Sequence, residues 1–317
     1  MLDENDAANA IRRLCQVIEA RLIGRSPLVE RLVIALLTGG HVLVEGVPGL
    51  AKTRSVRLLA DGLEADFSRI QCTPDLMPSD LTGTPVFRPA TGEFEFVEGP
   101  IFSNLVLVDE INRAPPKVQS ALLEGMAERQ VTSAGQTYAL PDPFMVVATQ
   151  NPIEHEGTFP LPEAQRDRFQ FHVIVEQPDA EQERRILDLV DAEAEGIDAN
   201  ERPLTLTELI AAQQGVRRVH TSAALKDYIV RLVTETRDAT AMSGIEHAVS
   251  PRGSLALLAG ARARAWLAGR DYAGPEDVAE LAPDVLAHRM VLTWRAEADG
   301  DTARGLIAQL LDRVEPL

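Results

Sequence analysis

The sequence predicts an α/β protein in which a parallel sheet is covered by helices on both sides and followed by a helical second domain. In the first half of the chain, short apolar runs alternate with helical patterns, which is typical of a parallel sheet. After "VEQPD" at residues 175–179 the apolar spacing is helical throughout. We therefore place a domain boundary near Gln177, which divides the chain into residues 1–177 and residues 178–317.

The individual elements follow from the apolar spacing. A first helix is predicted around residues 11–22, where apolar side chains recur every three or four positions. Five buried strands are predicted, each bounded by turn residues: "HVLVE" at 41–45, "FSRIQC" at 67–72, "NLVLVD" at 104–109, "FMVVATQ" at 144–150 and "FQFHVIV" at 169–175. The run "PPKVQSALLEGMAERQ" opens with prolines and predicts a helix with Val118, Leu122 and Met126 on one face.

Composition limits the function classes. The chain has 317 residues, and its 31 Lys and Arg against 48 Asp and Glu give a formal net charge of -17. This balance argues against nucleic acid as a partner, because phosphate binding needs a basic surface. Two isolated cysteines and six scattered histidines suggest no disulfide or zinc framework. Without a long apolar run or a signal-peptide core, we expect a cytoplasmic protein that does not insert into a membrane.

The stretch "EGVPGLAKT" at residues 45–53 follows the first strand and has the form of a phosphate-binding loop. Its candidate contacts to nucleotide are Gly46, Val47, Pro48, Gly49, Leu50, Ala51, Lys52 and Thr53. In such a loop the backbone N–H groups wrap the phosphates, the lysine reaches the β- and γ-phosphates, and the hydroxyl binds Mg²⁺. Ala51 stands where the usual pattern has a second glycine, and we expect it to fit with a negative φ.

"LVLVDE" at residues 105–110 ends a buried strand in two carboxylates. A nucleotide site needs a carboxylate at the end of a neighbouring strand to hold Mg²⁺, and Asp109 suits that role. Glu110 is then placed to orient or deprotonate the attacking water. Alone the pair is more often a common acidic turn, but with a phosphate loop upstream it indicates a nucleotide site.

Three polar positions further along carry weaker signals. Asn151 ends the fourth strand and could contact water or the γ-phosphate, although Asn-Pro is also a good turn dipeptide. Arg166 and Arg168 precede the fifth strand and could serve a neighbour's γ-phosphate, but the residues alone favour a solvated helix end. Arg252 is predicted in the first turn of a helix that Ser250 caps, an unfavourable place for a cation unless a ligand is near.

With these residues in view, the chain resembles the MoxR family of AAA+ ATPases. The resemblance covers nearly all of the first domain and part of the second. Its most specific stretches are "GVPGLAKT", "RIQCTPDLMPSDLTG", "GPIFSNLVLVDEINRAPPKVQSALLEGMAERQVT", "VVATQNPIEHEGTFPLPEAQRDRF" and "SPRG". It implies a P-loop AAA+ core with a parallel sheet, and a C-terminal all-helical lid domain. An alanine before the lysine is similar to the family's own pattern.

The resemblance also implies roles for individual residues. Residues 46–53 form the Walker A loop, with Arg54 beside it, and Asp109 with Glu110 forms the Walker B pair. The further matches are Asn151 at sensor 1, Arg168 at the arginine finger that reaches the adjacent subunit, Arg252 at sensor 2 contacting the nucleotide from the lid, and Ile23 with Gly24 near the adenine. Residues 73–83 resemble the segment around the family's helix-2 insertion, and residues 129–143 the hairpin before sensor 1.

Two departures from the family pattern are visible. Cys72 stands where an aromatic residue is expected, and Arg166 stands where a leucine is more usual. The second departure leaves the choice of finger between Arg166 and Arg168 open, with Arg168 favoured.

The leading hypothesis is a Mg²⁺-dependent ATPase that assembles into a homo-oligomeric ring, a hexamer by resemblance, and acts on partner proteins in a chaperone-like role. The resemblance implies partners that carry a von Willebrand factor A domain. The alternatives are a nucleotide-gated binding module with negligible turnover, and a magnesium-chelatase-like or DNA-directed AAA+ motor subunit.

Overall fold

The computed structural model describes residues 4–152, 157–194, 202–238 and 242–316. Four residues of the motif at 146–169, residues 153–156, lie outside the described residues.

A five-stranded, all-parallel sheet forms the centre of the first domain. In chain order its strands are β1 (Val42–Glu45), β2 (Phe67–Gln71), β5 (Leu105–Asp109), β8 (Met145–Gln150) and β9 (Phe171–Ile174). Their spatial order is β2-β5-β8-β1-β9. All five predicted strands and their parallel pairing are confirmed.

Two antiparallel hairpins extend from this sheet's connections. They are built from β3 (Gly83–Arg88) with β4 (Glu93–Glu98), and from β6 (Gln130–Ser133) with β7 (Gln136–Ala139). The second hairpin lies within residues 129–143, where a hairpin before sensor 1 was expected. The first directly follows the segment expected near the helix-2 insertion, after the short helix α4 (Pro78–Thr82).

Helices cover the sheet and continue into the second domain. They are α1 (Glu4–Ala20), α2 (Ser26–Thr38), α3 (Lys52–Asp61), α5 (Pro116–Glu128), α6 (Glu163–Arg166), α7 (Ala180–Ala194), α8 (Leu206–Arg218), α9 (Ala223–Glu235), α10 (Pro251–Leu267), α11 (Pro275–Leu286), α12 (Trp294–Ala298) and α13 (Ala303–Arg313). Three 3₁₀ turns add Pro100–Phe102, Ile111–Arg113 and Ala287–Arg289. The predicted face of α5 is confirmed, because Val118, Leu122 and Met126 are all buried.

Strand residues alternate between two hydrophobic clusters, one on each face of the sheet. Val42 and Val44 of β1 belong to the cluster that also contains apolar residues of α1, α2, α3 and the C-terminal helices. Leu43 belongs to the other cluster, with Val118 and Leu122 of α5. Because successive side chains of a strand point to opposite faces, this division follows directly from the strand period. The first cluster joins the core and the lid in one continuous apolar region.

In the described part of the second domain, one short strand pair, β10 (Ile245–His247) with β11 (Val291–Leu292), accompanies the helices. Helical periodicity cannot reveal strands of two or three residues. The predicted start of α10 is confirmed, because the Ser250 hydroxyl accepts the Arg252 backbone N–H at 3.2 Å and Pro251 is the first helical residue. No helix in the described ranges is long and apolar enough to cross a membrane.

Candidate functional site

The phosphate loop follows β1 and leads into the N-terminus of α3, at the carboxyl edge of the sheet. Gly46 and Gly49 of this loop are required for different structural reasons. A Cβ on Gly46 would lie 2.8 Å from the Val175 carbonyl oxygen, so the close approach of β9's end excludes a side chain. Gly49 has a φ of +85° and open space around it, so its requirement is conformational.

Ala51 corrects the sequence expectation of a negative φ, because its φ is +59° and its ψ is 21°. In this left-handed conformation the Ala51 carbonyl accepts from the Ser55 backbone N–H at 2.9 Å and from the Ser55 hydroxyl at 2.8 Å. The first turn of α3 therefore depends on the same backbone geometry that a glycine would supply without strain. The methyl group is tolerated, but at a conformational cost.

Strands β2, β5 and β8, with the residues directly after β5 and β8, supply the acidic and polar side chains of the same cavity. The cavity has a volume of about 390 Å³ and is lined by Pro48, Gly49, Leu50, Ala51, Lys52, Thr53, Arg54, Arg69, Gln71, Asp109, Glu110, Thr149 and Asn151. The structure thus brings together most of the residues predicted from the two nucleotide motifs with Asn151. Arg69, Gln71 and Thr149 were missed by the sequence analysis.

Asp109 is the buried acidic centre of the cavity. It is 4% exposed and accepts from the Thr53 hydroxyl at 3.3 and 3.4 Å and from the Thr149 hydroxyl at 3.1 Å. Arg69 Nε donates to the same carboxylate at 2.7 Å. Thr53 and Asp109 are thus adjacent, as two oxygen ligands of one hard cation must be.

Glu110 lies next to this centre in a different environment. Its backbone has a φ of +57°, and its N–H donates to the Thr149 hydroxyl at 2.9 Å. Its carboxylate accepts from Gln71 Nε2 at 3.0 Å and Arg113 Nη1 at 3.1 Å. Thr149 therefore links the two residues, because its single hydroxyl donates to the Asp109 carboxylate and accepts from the Glu110 backbone N–H.

Lys52 and Asn151 complete the phosphate side of the cavity. Lys52 Nζ donates to the carbonyls of Gly46, at 2.5 Å, and Gln150, at 3.0 Å, so its ammonium lies inside the loop. Asn151 is 4% exposed and follows directly after β8, beside the end of β1. Gly46 and Val47 do not line the cavity, and Gly46 N–H donates to the Gln150 carbonyl at 3.3 Å.

A second, more apolar cavity of about 110 Å³ adjoins the first, sharing residues 49–51 and Arg54 with it. Its other lining residues are Arg21, Leu22, Ile23, Arg25, Pro178, Ile186, Leu189 and Val190. The predicted Ile23 is among them, whereas Gly24 packs against the Gln182 side chain and does not line the cavity. The sequence did not predict that α7 lines this cavity, although the spacing of residues 186, 189 and 190 is that of one helix face.

Arg168 and Arg252 lie away from both cavities. Phe171, the first residue of β9, pairs with Val42, the first residue of β1, so the backbone of Arg168 lies beyond the amino edge of the sheet. Arg252 Nη1 donates to Asp167 at 3.2 Å, next to Arg168 in the chain. The structure therefore brings these two predicted arginines together, but not with the phosphate loop of their own chain.

Arg166 differs from Arg168 in its surroundings. Arg168 Nη1 donates to the Leu123 carbonyl on α5. The pKa of Glu45 is lowered, mainly by its hydrogen bond with His172 at 2.8 Å. The positive charge of Arg166 contributes to the same shift. Arg166 is thus close enough to the end of β1 in its own chain for its charge to affect Glu45.

Cys72, the departure from the family pattern, lies behind the carboxylates. Its backbone N–H donates to the Asp109 carbonyl at 3.0 Å, and its side chain is 1% exposed. Burial, with the nearby charges of Asp109 and Glu110, raises the pKa of its thiol to about 12. The thiol stays protonated and has a packing role. Elsewhere in the described chain, no three His, Cys, Asp or Glu side chains are grouped to hold a metal ion.

Comparisons with known proteins match both domains. Residues 41–171 match the family model described as "ATPase family associated with various cellular activities (AAA)", and residues 237–310 match the "AAA lid domain" model.

Relatives match over nearly the whole chain. "Chaperone MoxR1" of Mycobacterium tuberculosis is 46% identical over 96% of this chain and 82% of its own length. "Protein MoxR" of Methylorubrum extorquens is 33% identical, covering 90% of this chain and 89% of that protein. A crystal structure from Cytophaga hutchinsonii, of a protein assigned as an ATPase, is 40% identical with a TM-score of 0.90, covering 99% of this chain and 97% of that one.

Proposed function

This chain belongs to the MoxR family of AAA+ ATPases, and on that premise we propose that it couples Mg²⁺-dependent ATP hydrolysis to the remodelling of a partner protein, as one subunit of a homo-oligomeric ring. Membership of the family supports an ATPase with a chaperone-like role. The metal, the ring, the partner and the role of each site residue are the parts that we add.

ATP binds across the two adjoining cavities. Its base lies in the apolar cavity between Ile23 and α7, and its phosphates lie in the cavity that residues 48–53 line. The shared residues 49–51 make this assignment continuous. The N-terminus of α3 directs its helix dipole toward the phosphates, and Lys52 adds the charge for the β- and γ-phosphates.

The donor set fits Mg²⁺. Thr53 and Asp109 offer a hydroxyl and a carboxylate 3.3 Å apart, and the remaining ligands of such a site are commonly phosphate oxygens and water. Mg²⁺ held by these two residues would neutralise charge on the phosphates. Mg²⁺ that binds together with a nucleotide needs only one or two protein carboxylates, because phosphate oxygens and water supply its other ligands. Asp109 and Glu110 provide two carboxylates beside the phosphate loop.

Glu110 acts as the base that orients and deprotonates the attacking water. Its backbone is fixed by the Thr149 hydroxyl, and its carboxylate is reachable because it is about one-third exposed on the cavity side. Gln71 and Arg113 hold the carboxylate in the resting site, so they must release it or share it when water is bound. Asn151, at the end of β8, supplies an amide for the water or the γ-phosphate.

Arg168 and Arg252 serve the nucleotide of the adjacent subunit. The supporting observation is their location, since both lie by Asp167 and neither lines a cavity of the phosphate loop in its own chain. Guanidinium groups stabilise charge on the transferring phosphoryl group. A ring of six subunits lets every subunit offer these arginines to a neighbour.

The partner is a protein with a von Willebrand factor A domain. Only the family resemblance supports this choice, and stimulation of ATP turnover by such a purified domain, with its metal bound, would test it.

One observation carries the proposal: the Thr53 hydroxyl, the Asp109 carboxylate and Glu110 meet in one cavity beside the phosphate loop. Glu110→Gln keeps the size and polarity of the side chain but removes the base. We expect kcat for ATP to fall by about 10²–10⁴-fold with ATP affinity unchanged. Turnover by phosphate release and affinity by titration with a fluorescent ATP analogue measure the two effects.

Glu128→Gln, on the exposed end of α5, is the matched control and should leave both values unchanged. Undiminished turnover in Glu110→Gln would refute the role of Glu110. A wild-type protein that binds ATP but never hydrolyses it would favour the nucleotide-gated binding module instead.

A further inference from the structure

Arg289 is a buried arginine of the second domain whose guanidinium donates hydrogen bonds to the backbone around Arg168. It ends the 3₁₀ turn Ala287–Arg289 after α11, and its side chain is 3% exposed. Its Nη2 donates to the carbonyls of Asp167, at 3.3 Å, and Phe169, at 2.7 Å, and its Nη1 to that of Gln170, at 3.3 Å. Three carbonyls within residues 167–170 therefore accept from one rigid group.

The Asp167 side chain connects Arg289 to Arg252. Its carboxylate accepts from Arg289 Nε at 3.0 Å, from the Ser250 hydroxyl at 2.9 and 3.0 Å, and from Arg252 Nη1 at 3.2 Å. One carboxylate thus connects the start of α10, the end of α11 and the segment before β9. We call Asp167, Ser250 and Arg289 the arginine clamp.

Arg168 itself is held less tightly. Its Nη1 donates to the Leu123 carbonyl, while its Nε is buried without a hydrogen-bond partner among the described residues. The direction of its side chain therefore depends on how the backbone on both sides of it is fixed. That backbone is what Arg289 binds.

The clamp is an unusual use of a buried charge. Burial lowers the pKa of Arg289 to about 10, which leaves it protonated at neutral pH. A buried ion pair contributes little net stability once the loss of hydration is counted, and its best-attested benefit is fixing one arrangement among several. The arrangement fixed here is that of residues 167–170 against the lid.

We propose that Arg289, through Asp167 and the carbonyls on both sides of Arg168, is a positioning residue that sets Arg168 and Arg252 in the pose in which they reach the neighbouring subunit's nucleotide. This inference rests on the proposed action of those arginines between subunits. Because Arg289 and Ser250 belong to the lid and Arg168 to the core, a change in lid angle is passed directly to the finger.

The first test is Arg289→Lys, which keeps the charge but cannot serve three carbonyls and a carboxylate at once. We expect kcat to fall at least about tenfold, while KM for ATP and the affinity for a fluorescent ATP analogue stay within about twofold, because the subunit's own cavities are untouched. Arg295→Lys, an exposed lid arginine, is the matched control and should change neither.

Mixing subunits separates positioning from damage. Glu110→Gln subunits have an inactive pocket but intact arginines, so added in excess they should restore turnover in Arg289→Lys pockets, toward the wild-type rate per Arg289→Lys subunit. Arg168→Ala mixed with Glu110→Gln is the parallel test of action between subunits. If Arg289→Lys does not fold, Asp167→Asn replaces it in the same mixture, with the same restoration expected.

Each result decides. Restoration in both mixtures supports the clamp. Restoration with Arg168→Ala but not with the clamp variant overturns this inference and leaves the proposed function standing. Restoration in neither overturns action between subunits and the clamp with it. A folded Arg289→Lys with wild-type kcat overturns the clamp alone.

Discussion

Asp109 and Glu110 are consecutive residues with different chemistry because their surroundings differ. Asp109 is buried among two hydroxyls and a guanidinium, whereas Glu110 is in a left-handed backbone conformation that turns its carboxylate into the cavity. The Thr149 hydroxyl donates to the Asp109 carboxylate at 3.1 Å and accepts from the Glu110 backbone N–H at 2.9 Å. This threonine on β8 therefore links the side chain of Asp109 to the backbone of Glu110.

Ala51 gives a prediction at the residue scale. Its φ of +59° costs an alanine about 1–2 kcal/mol, whereas a glycine loses about 0.4–1 kcal/mol by its greater freedom in the unfolded chain. We expect Ala51→Gly to raise the free energy of unfolding by about 0.5–1 kcal/mol, measured by urea denaturation.

Ala308→Gly is the control for this change. Ala308 is exposed in the middle of α13, where glycine costs about 1 kcal/mol, so the same substitution should destabilise the protein. Equal destabilisation by both substitutions would show that the left-handed conformation at residue 51 carries no strain.

At the scale of elements, α7 closes the apolar cavity from the side of the second domain. Ile186, Leu189 and Val190 form the lining face, while Leu187 between them is 66% exposed and does not line it. Under the proposed function, this face of the helix contacts the base of the nucleotide.

We predict that Ile186→Asn raises KM for ATP by about 5–10-fold with little change in kcat, since about 1–1.5 kcal/mol of apolar contact is lost equally in the ground and transition states. Steady-state kinetics over a range of ATP concentrations measures both constants. Leu187→Asn, one residue away, should behave as wild type. A similar rise in KM for both variants would mean that the helix, and not the cavity face, is responsible.

At the scale of the whole molecule, the parallel sheet separates the phosphate loop from the proposed arginine finger. The phosphate loop follows β1 at the carboxyl edge, and Arg168 precedes β9 beyond the amino edge. Since all strands are parallel, no small adjustment brings Arg168 to its own loop. Under the proposed function, two copies of the chain are therefore needed to bring Arg168 and a phosphate loop into one site.

This separation predicts that ATP turnover per subunit rises with protein concentration in the presence of Mg²⁺ and reaches a plateau. Over the rise we expect at least about a tenfold change, because an arginine finger contributes strongly to phosphoryl transfer. Arg168→Ala should stay low and flat over the same range. A flat wild-type rate, with a monomer by sizing in nucleotide, would contradict assembly.

Much of the fold and the centre of the site could be read from the chain. The strands, α5, the start of α10 and the phosphate loop depend on neighbours within a few residues, so their patterns are written locally. The β10–β11 pair, the β3–β4 hairpin and the left-handed Ala51 were not predicted, because short pairings and single dihedral angles leave no periodic signal.

The sequence by itself determined the family, the parallel sheet and which residues make the phosphate loop and its acidic pair. Only the tertiary structure decided that Thr149 links the Asp109 carboxylate to the Glu110 backbone, that α7 lines the apolar cavity, and that Arg252 lies near Arg168 and not near its own phosphate loop. Arg289 and Asp167, which join these arginines, are 122 positions apart. Contacts at such separations are set by strand order and the packing of the lid on the core, which no local spacing encodes.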